Sequence, residues 1–301
     1  MTFTEKTKSE LLSGGFGSLE DQKAEAYAFL LLSSAFDKNS IIFDSENIDI
    51  NLRLCMLLKN LVGATASVFE RSGHKPYRLT VENEEERLKV LQFFGQENEI
   101  NLKVDPQMIE EGSFPSFLKG AFLASGNLSN PEKSYRFELV IKHMALCISL
   151  LEYLSENNCF MSFSQRSGRF IVYTKDSSLI EDLLVLMGAG TSSLEIMNAK
   201  IYKDIRNKVN RVTNFENANI DKMVKSAEAD CEAINYLLEH IDIGDISDEL
   251  MAAATLRIEN PDMSLSELCE IARPKVSRSG LYHRIKKLSA MAEEIRKREE
   301  G

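Results

Sequence analysis

The sequence predicts an α+β protein. A duplicated αββαββα body fills residues 1–195, a basic linker helix fills 196–225, and an all-α helix-turn-helix domain fills 226–301. Three observations predict this: two segments that repeat in order at a near-constant offset, strand-like alternation after each repeat's first helix, and a capped, acid-free basic helix near the end.

The repeat is read first. Ala28-Phe-Leu-Leu31-Leu-Ser33-Ser aligns with Gly120-Ala-Phe-Leu123-Ala-Ser125-Gly at an offset of 92 positions, and the same offset sets LRLCMLL (52–58) over MALCISL (144–150). At an offset of 95, Arg71-Ser72-Gly73 matches Arg166-Ser167-Gly168. The repeats span about 20–95 and 113–190.

In the first copy the pattern predicts a helix over 21–36, strands over 41–45 and 47–50, a helix over 52–63, a hairpin over 67–81 and a helix over 84–94. In the second it predicts a helix over 115–128, a strand within 127–130, another over 135–141, a helix over 143–157, a hairpin over 160–173 and a helix over 177–187. YRLTV and RFIVYTK alternate apolar and polar residues, as half-buried strands do. Each Arg-Ser-Gly sits between two such runs, where glycine supplies the positive φ of a tight turn.

Composition narrows the class. Five cysteines without a C-x-x-C pair indicate reduced thiols in a cytoplasmic protein, and the four histidines show no metal-ligand spacing. The opening MTFTEKTKSELLSGG lacks the apolar stretch of a signal peptide, and the apolar run over 27–36 is too short to span a bilayer. No cofactor, metal or membrane is expected. The formal charge is −10, yet six cations and no acid stand between Arg273 and Lys287, so an acidic body carries a basic C-terminal face. Lys200, Lys203, Arg206, Lys208 and Arg211 form a second basic run, on a linker whose Ile201, Ile205, Val209 and Val212 recur at helical spacing. That linker is either a solvated amphipathic helix or a phosphate-contacting one.

The C-terminal domain carries the strongest functional signal. A helix over 249–260 stops at Pro261, and Ser264 with Glu267 makes a capping box for a short helix whose apolar face is Leu265, Leu268 and Ile271. After Arg273-Pro274-Lys275-Val276, Ser277 caps a long helix with Leu281, Ile285, Leu288 and Met291 as its buried stripe. A short helix, a brief turn and a capped basic helix is the geometry that sets a recognition helix in the major groove. The candidate DNA-binding residues are Arg273, Lys275, Ser277, Arg278, Ser279, Tyr282, His283, Arg284, Lys286 and Lys287. Arg273, Lys275 and Lys286 would hold phosphates; Arg278, Ser279, Tyr282 and His283 lie nearest the bases; Arg284 and Lys287 fit either set.

These motifs resemble the LAGLIDADG homing-endonuclease fold, and more specifically the WhiA family of bacterial transcription regulators. The ending S-x-S-G-x-x-H-R-x-x-K-L falls on Ser277, Ser279, Gly280, His283, Arg284, Lys287 and Leu288, with Tyr282 where the family usually carries asparagine. The linker's N-x-E-x-A-N-x-x-K run falls on Asn214, Glu216, Ala218, Asn219 and Lys222. The resemblance implies two motif helices packed side by side above a saddle of two sheets, and control of sporulation or cell-division genes. Aligning the LAGLIDADG motif with residues 118–126 puts its acidic positions on Leu123 and Ser125, and on Leu31 and Ser33 in the first copy. An aliphatic side chain cannot replace an oxygen ligand for a hard cation, so a nuclease activity is not expected. Arg71, Arg136, Arg166 and Arg169 either face DNA across the saddle or are solvated strand residues. The implied partner is promoter duplex DNA at the nucleoid, with a sigma factor or second regulator on the acidic body. An RNA-binding maturase-like protein, or an endonuclease using other acids, are the alternatives.

Overall fold

A computed structural model describes residues 1–72, 76–97 and 102–299. It divides into two compact units, Met1–Asp204 and Ile205–Gly301.

The first unit contains the duplicated body. Helix α1 (Phe3–Ser13) precedes the first repeat, which runs α2 (Leu19–Leu31), β1 (Ala35–Phe36), β2 (Ile41–Ser45), α3 (Ile48–Val62), β3 (Ser67–Glu70), β4 (Tyr77–Thr80) and α4 (Glu84–Phe93). The second repeat runs α5 (Phe114–Ser125), β5 (Gly126–Leu128), β6 (Phe137–Ile141), α6 (Met144–Glu156), β7 (Ser162–Arg166), β8 (Arg169–Thr174) and α7 (Ser177–Met187). Each repeat builds an antiparallel four-stranded sheet, in the orders β1-β2-β4-β3 and β5-β6-β8-β7. The order is the same in both, so the sequence repeat is a structural duplication with the expected αββαββα connectivity.

Helices α2 and α5 pack through their small residues. A Cβ added at Gly120 would lie 2.3 Å from the Glu25 carbonyl oxygen and 3.1 Å from the Ala28 Cβ. Ala28 is the residue that the 92-position offset equates with Gly120. The two helices therefore meet at equivalent points, as a pair related by a pseudo-twofold axis must. Tyr27, Phe29, Phe117 and Phe122 flank the crossing, fully buried.

One buried ion pair ties the first repeat together. Glu25 on α2 and Arg53 on α3 are both buried. Arg53 Nε and Nη2 donate to the Glu25 carboxylate, while Nη1 and Nη2 reach the carbonyls of Gly14 (3.0 Å) and Gly15 (3.2 Å). Its guanidinium also stacks 4.7 Å from the Phe16 ring centroid. Charges removed from water need this degree of satisfaction.

Helix α1 was not foreseen from the sequence. Thr2 and Glu5 form its capping box, and Phe3, Thr7 and Leu11 are its buried face. The Thr4 hydroxyl donates to the Leu128 carbonyl (2.9 Å) and accepts from the Leu128 amide (2.8 Å), satisfying the free edge of β5. Glu10 accepts from the amides of Thr191 (2.7 Å) and Ser192 (3.0 Å), at the first turn of helix α8 (Gly190–His240).

Three expectations need correction. The strand expected over 47–50 is the start of α3, with the Asn47 side chain accepting the Asp49 amide as an N-cap. The first strand of that copy is instead the two-residue β1. The helices expected over 21–36 and 115–128 end earlier, at Leu31 and Ser125. In the second hairpin Ser167 (φ 49°) and Gly168 (φ 73°) form the turn between the paired Arg166 and Arg169. The matching turn at Gly73 lies outside the described residues, as does His74.

The second unit holds the C-terminal part of α8, then α9 (Asp248–Glu259), α10 (Leu265–Ile271) and α11 (Arg278–Glu299). No helix among the described residues is long and apolar enough to cross a membrane.

Candidate nucleic-acid interface

Two small cores fix the helix-turn-helix. Ala253 of α9, Leu268 of α10, and Leu281 and Ile285 of α11 make one, which clamps the short helix between its neighbours. Ile234 and Leu237 of α8, Leu250 and Ala254 of α9, and Leu288 and Ala292 of α11 make the other. The last turns of α8 are thus part of the domain's foundation. Arg257, buried in α9, donates through Nη1 to the Met263 carbonyl (2.7 Å) and holds the α9–α10 connection.

Local chemistry sets the two helix starts. Ser264 Oγ accepts the Glu267 amide (3.3 Å), and Glu267 accepts the Ser264 amide (2.7 Å), as the capping box predicts. Ser277 Oγ accepts the Gly280 amide (3.1 Å) at the start of α11. A Cβ on Gly280 would stand 3.1 Å from that same hydroxyl, so the cap favours glycine there. Ile271 departs from expectation: it is exposed, and Ala272 is buried next to it. On α11, Ala292 is buried and Met291 only half-buried.

Leu281, Ile285, Leu288 and Ala292 turn one side of α11 inward, and Arg278, Ser279, Tyr282, His283 and Lys286 are exposed on the other. Their spacing of three and four places them on one helical face. The Tyr282 and His283 rings meet edge-on at 5.7 Å. Lys275, Ser277 and Lys287 are also exposed.

Two candidate cations have work inside the domain. Arg284 pairs with Glu249 of α9 at 2.7 Å, tying the long helix to the first. Arg273 donates to the carbonyls of Glu270 (3.2 Å) and Ala272 (2.9 Å), closing the end of α10. The Glu249–Arg284 pair could not be read from the sequence, because its members are 35 residues apart. Asp230 on α8 is raised above its ordinary value by burial, against the opposing charges of Arg257 and Lys286.

The body has a different character. At the positions equivalent to the nuclease acids, Leu31, Ser33 and Leu123 are buried and Ser125 half-buried. The two hydroxyls donate to nearby carbonyls, Ser33 to Ala35 (3.0 Å) and Ser125 to Ala121 (3.3 Å). Among the described residues no group of three His, Cys, Asp or Glu side chains could hold a metal ion. A cleft of about 1030 Å³ opens beside these helix ends, lined in part by Ser34, Asp44, Ser125, Lys142 and Arg169.

Saddle arginines are partly neutralised within the chain. Arg78 makes a two-pronged pair with Asp44 (2.7 and 3.0 Å), and Arg71 reaches the same carboxylate at 3.0 Å. Asp44 and Arg78 are directly paired in the β2–β4 register, which brings them together. Arg136 pairs with Glu138 and lies 4.3 Å from the Tyr173 ring centroid. Arg166 and Arg169 carry no ion pair among the described residues. On the linker stretch of α8, Lys200 pairs with Glu181 (3.6 Å) and Lys203 lies over the Tyr135 ring (4.2 Å). Arg206, Lys208 and Arg211 are exposed.

Comparison with known proteins fits this architecture. The family model described as the WhiA LAGLIDADG-like domain matches residues 114–206, and the WhiA C-terminal HTH domain matches 209–292. A Clostridium tetani protein named "Probable cell division protein WhiA" is 30% identical over 321 residues, covering 99% of each chain. The chain belongs to the WhiA family. A relative of the same name from Ruminiclostridium cellulolyticum is 30% identical over 313 residues, again covering 99% of each chain. The crystal structure of full-length DUF199/WhiA from Thermatoga maritima shares the fold, with a TM-score of 0.59 and 24% identity, over 98% of this chain and 99% of that one.

Proposed function

We propose that this WhiA-family chain is a sequence-specific regulator that binds duplex DNA through residues 226–301 and does not cut it. The carrying observation is α11: a capped helix, anchored by two small cores, that exposes Arg278, Ser279, Tyr282, His283 and Lys286 on one face. The amides at its start suit a phosphate, and side chains just inside it suit base edges. Lys275 and Lys286 would hold the backbone. Arg284 and Arg273 act chiefly as scaffold, because both already have partners.

Absence of cleavage follows from donor chemistry. The helix ends where a nuclease needs carboxylates carry leucine and serine, whose hydroxyls are engaged by main-chain carbonyls. The body, with its paired arginines and surplus of acids, is better suited to a protein partner such as a sigma factor or second regulator. The name of the curated relatives points to cell-division genes as targets, and the family resemblance adds sporulation genes.

Arg278→Ala tests the reading. A bidentate base contact predicts a loss of about 1–3 kcal/mol on the specific site and little on random duplex. Equal loss on both would assign Arg278 to the phosphate backbone.

A further inference from the structure

The cleft beside the ends of α2 and α5 carries a row of like charges. Every residue that lines it belongs to the first unit, so its shape is set within the body. Arg166 of β7 and Arg169 of β8 face each other in the hairpin register. On the other side of β8, Ile141 pairs with Phe170, and the next residues outward are Lys142 and Arg169. Lys142, Arg169 and Arg166 therefore stand abreast on three adjacent strands, about 4.8 Å from one strand to the next, with no acid between them. Like charges directly opposite one another destabilise a sheet. The row weakens the free fold and is relieved when an anion lies along it.

The surroundings of the row describe that anion. Two strand spacings span about 10 Å, which suits two or three linked phosphates and exceeds a single carboxylate. Lys142 and Arg169 line the cleft together with Phe43, Tyr77, Leu123 and Val140, so the cations adjoin an apolar wall. Of the carboxylates there, Glu5 accepts the Thr2 amide (2.8 Å) and Asp44 is held by Arg78, Arg71 and Ser34, which leaves Glu46. Helix α1 stands outside the duplication, and its first turn walls one side of the cleft, fixed there by the two Thr4–Leu128 hydrogen bonds. A duplex lying across the paired helix ends needs both of them open. A one-sided cleft of about 1030 Å³ has instead the size of a small-molecule site. We propose that this cleft binds a nucleoside di- or triphosphate, its phosphates along Lys142, Arg169 and Arg166 and its base against the apolar wall. The site belongs to a different unit from α11, so it stands or falls apart from that helix's role on DNA.

The test is isothermal titration of the full chain with ADP, GDP, ATP and GTP in EDTA, with adenosine and guanosine as phosphate-free probes. At least one nucleotide should bind with a dissociation constant of roughly 100 µM or tighter, and its nucleoside at least about tenfold more weakly. Arg169→Gln and Lys142→Gln should each weaken that binding by about tenfold, as loss of a charge-assisted contact does. Lys38→Gln, an exposed change away from the cleft lining, should leave it unchanged. Because Arg169→Gln also relieves the row, the thermal midpoint of the free variant should equal or exceed that of the unaltered chain, which separates lost binding from lost folding. No binding of any of the four nucleotides at about 1 mM would overturn the proposal. So would a nucleoside that binds as tightly as its nucleotide, an Arg169→Gln chain that binds nucleotide undiminished, or a lower midpoint for that variant. If the row variants weaken binding to random duplex DNA while nucleotides do not bind, the row serves a DNA backbone and the small-molecule site is refuted.

Discussion

Replacing Gly120 with alanine should destabilise the body, although alanine is the better helix former. The added Cβ would sit 2.3 Å from the Glu25 carbonyl oxygen, where ordinary contact begins at 3.4 Å. The obstruction is backbone on a buried helix, so it cannot swing aside as a side-chain tip would. To relieve it, α2 and α5 must separate by roughly 1 Å, and a gap of that size forfeits a quarter to a half of the dispersion energy across the contact. Overpacking of this kind costs about 3 kcal/mol. Removing glycine from a helix interior returns about 1 kcal/mol. The net expectation is a loss of about 2 kcal/mol. Urea unfolding followed by circular dichroism would measure it, with hydrogen exchange of α2 and α5 amides assigning the loss to the body. Gly190→Ala, where nothing lies within 4 Å, is the control and should change stability little. A Gly120→Ala protein more stable by about 1 kcal/mol, the propensity gain alone, would mean that α2 and α5 do not cross at Gly120.

Arg53→Ala should cost about 3 kcal/mol in urea unfolding, because it removes the hydrogen-bonded partner of the buried Glu25 carboxylate and leaves it Lys119 alone, at 3.8 Å; a loss below about 1 kcal/mol would mean the pair is solvated. Ser264→Ala should lower the stability of the C-terminal unit by about 1 kcal/mol through loss of the capping box, read from its thermal midpoint. The two units should respond differently to mild acid. Burial pushes Asp44 and Glu10 up, but hydrogen bonds from Arg78 and Ser34, and from Ser192 and Thr191, outweigh it and hold both below their ordinary values of 3.8 and 4.5. Their stabilisation is therefore complete above those values and is lost as pH falls through the lower folded ones. Asp230 is raised by burial, so its contribution worsens as pH rises from 3.8 through the folded value, and the C-terminal unit should gain stability on acidification across that window. Amide exchange at pH 7 and near pH 4.5 should show α11 gaining protection while α5, in the unit whose carboxylates stay ionised there, does not change; no gain in α11 would contradict the assignment for Asp230.

Signals confined to a few neighbouring residues were legible in the sequence. The Ile41–Ser45 strand, the Ser177–Met187 helix and the Ser264–Glu267 capping box have the bounds and roles read from the sequence. The duplication was legible because it needs only self-comparison, and Gly120 against Ala28 shows its physical meaning. Asn47–Ile50 misled because I-D-I alternates like a strand, whereas the Asn47 side chain caps a helix. Strand β1, two residues long, is too short for any period to register. Helix α1 did carry a Thr-x-x-Glu signature, but its role against Leu128 and the start of α8 is tertiary. The linker stripe was legible as a helical pattern and not as an exposed one, since periodicity reveals a face without revealing what covers it. The same limit applies to the site: the exposed residues of α11 could be read from the buried stripe, but the engagement of Arg284 by Glu249 could not.

The most direct measurement is binding of the full chain to promoter and random duplex DNA with Mg²⁺ present, over a range of salt, followed by a gel of the recovered DNA. The expected result is intact DNA, tighter binding to the promoter, and a linear fall of log K against log salt whose slope drops by about 0.9 when Lys275→Ala removes one phosphate contact. Cut DNA, or equal affinity for both duplexes with a slope that Lys275→Ala leaves unchanged, would contradict a non-cleaving regulator that reads DNA through α11.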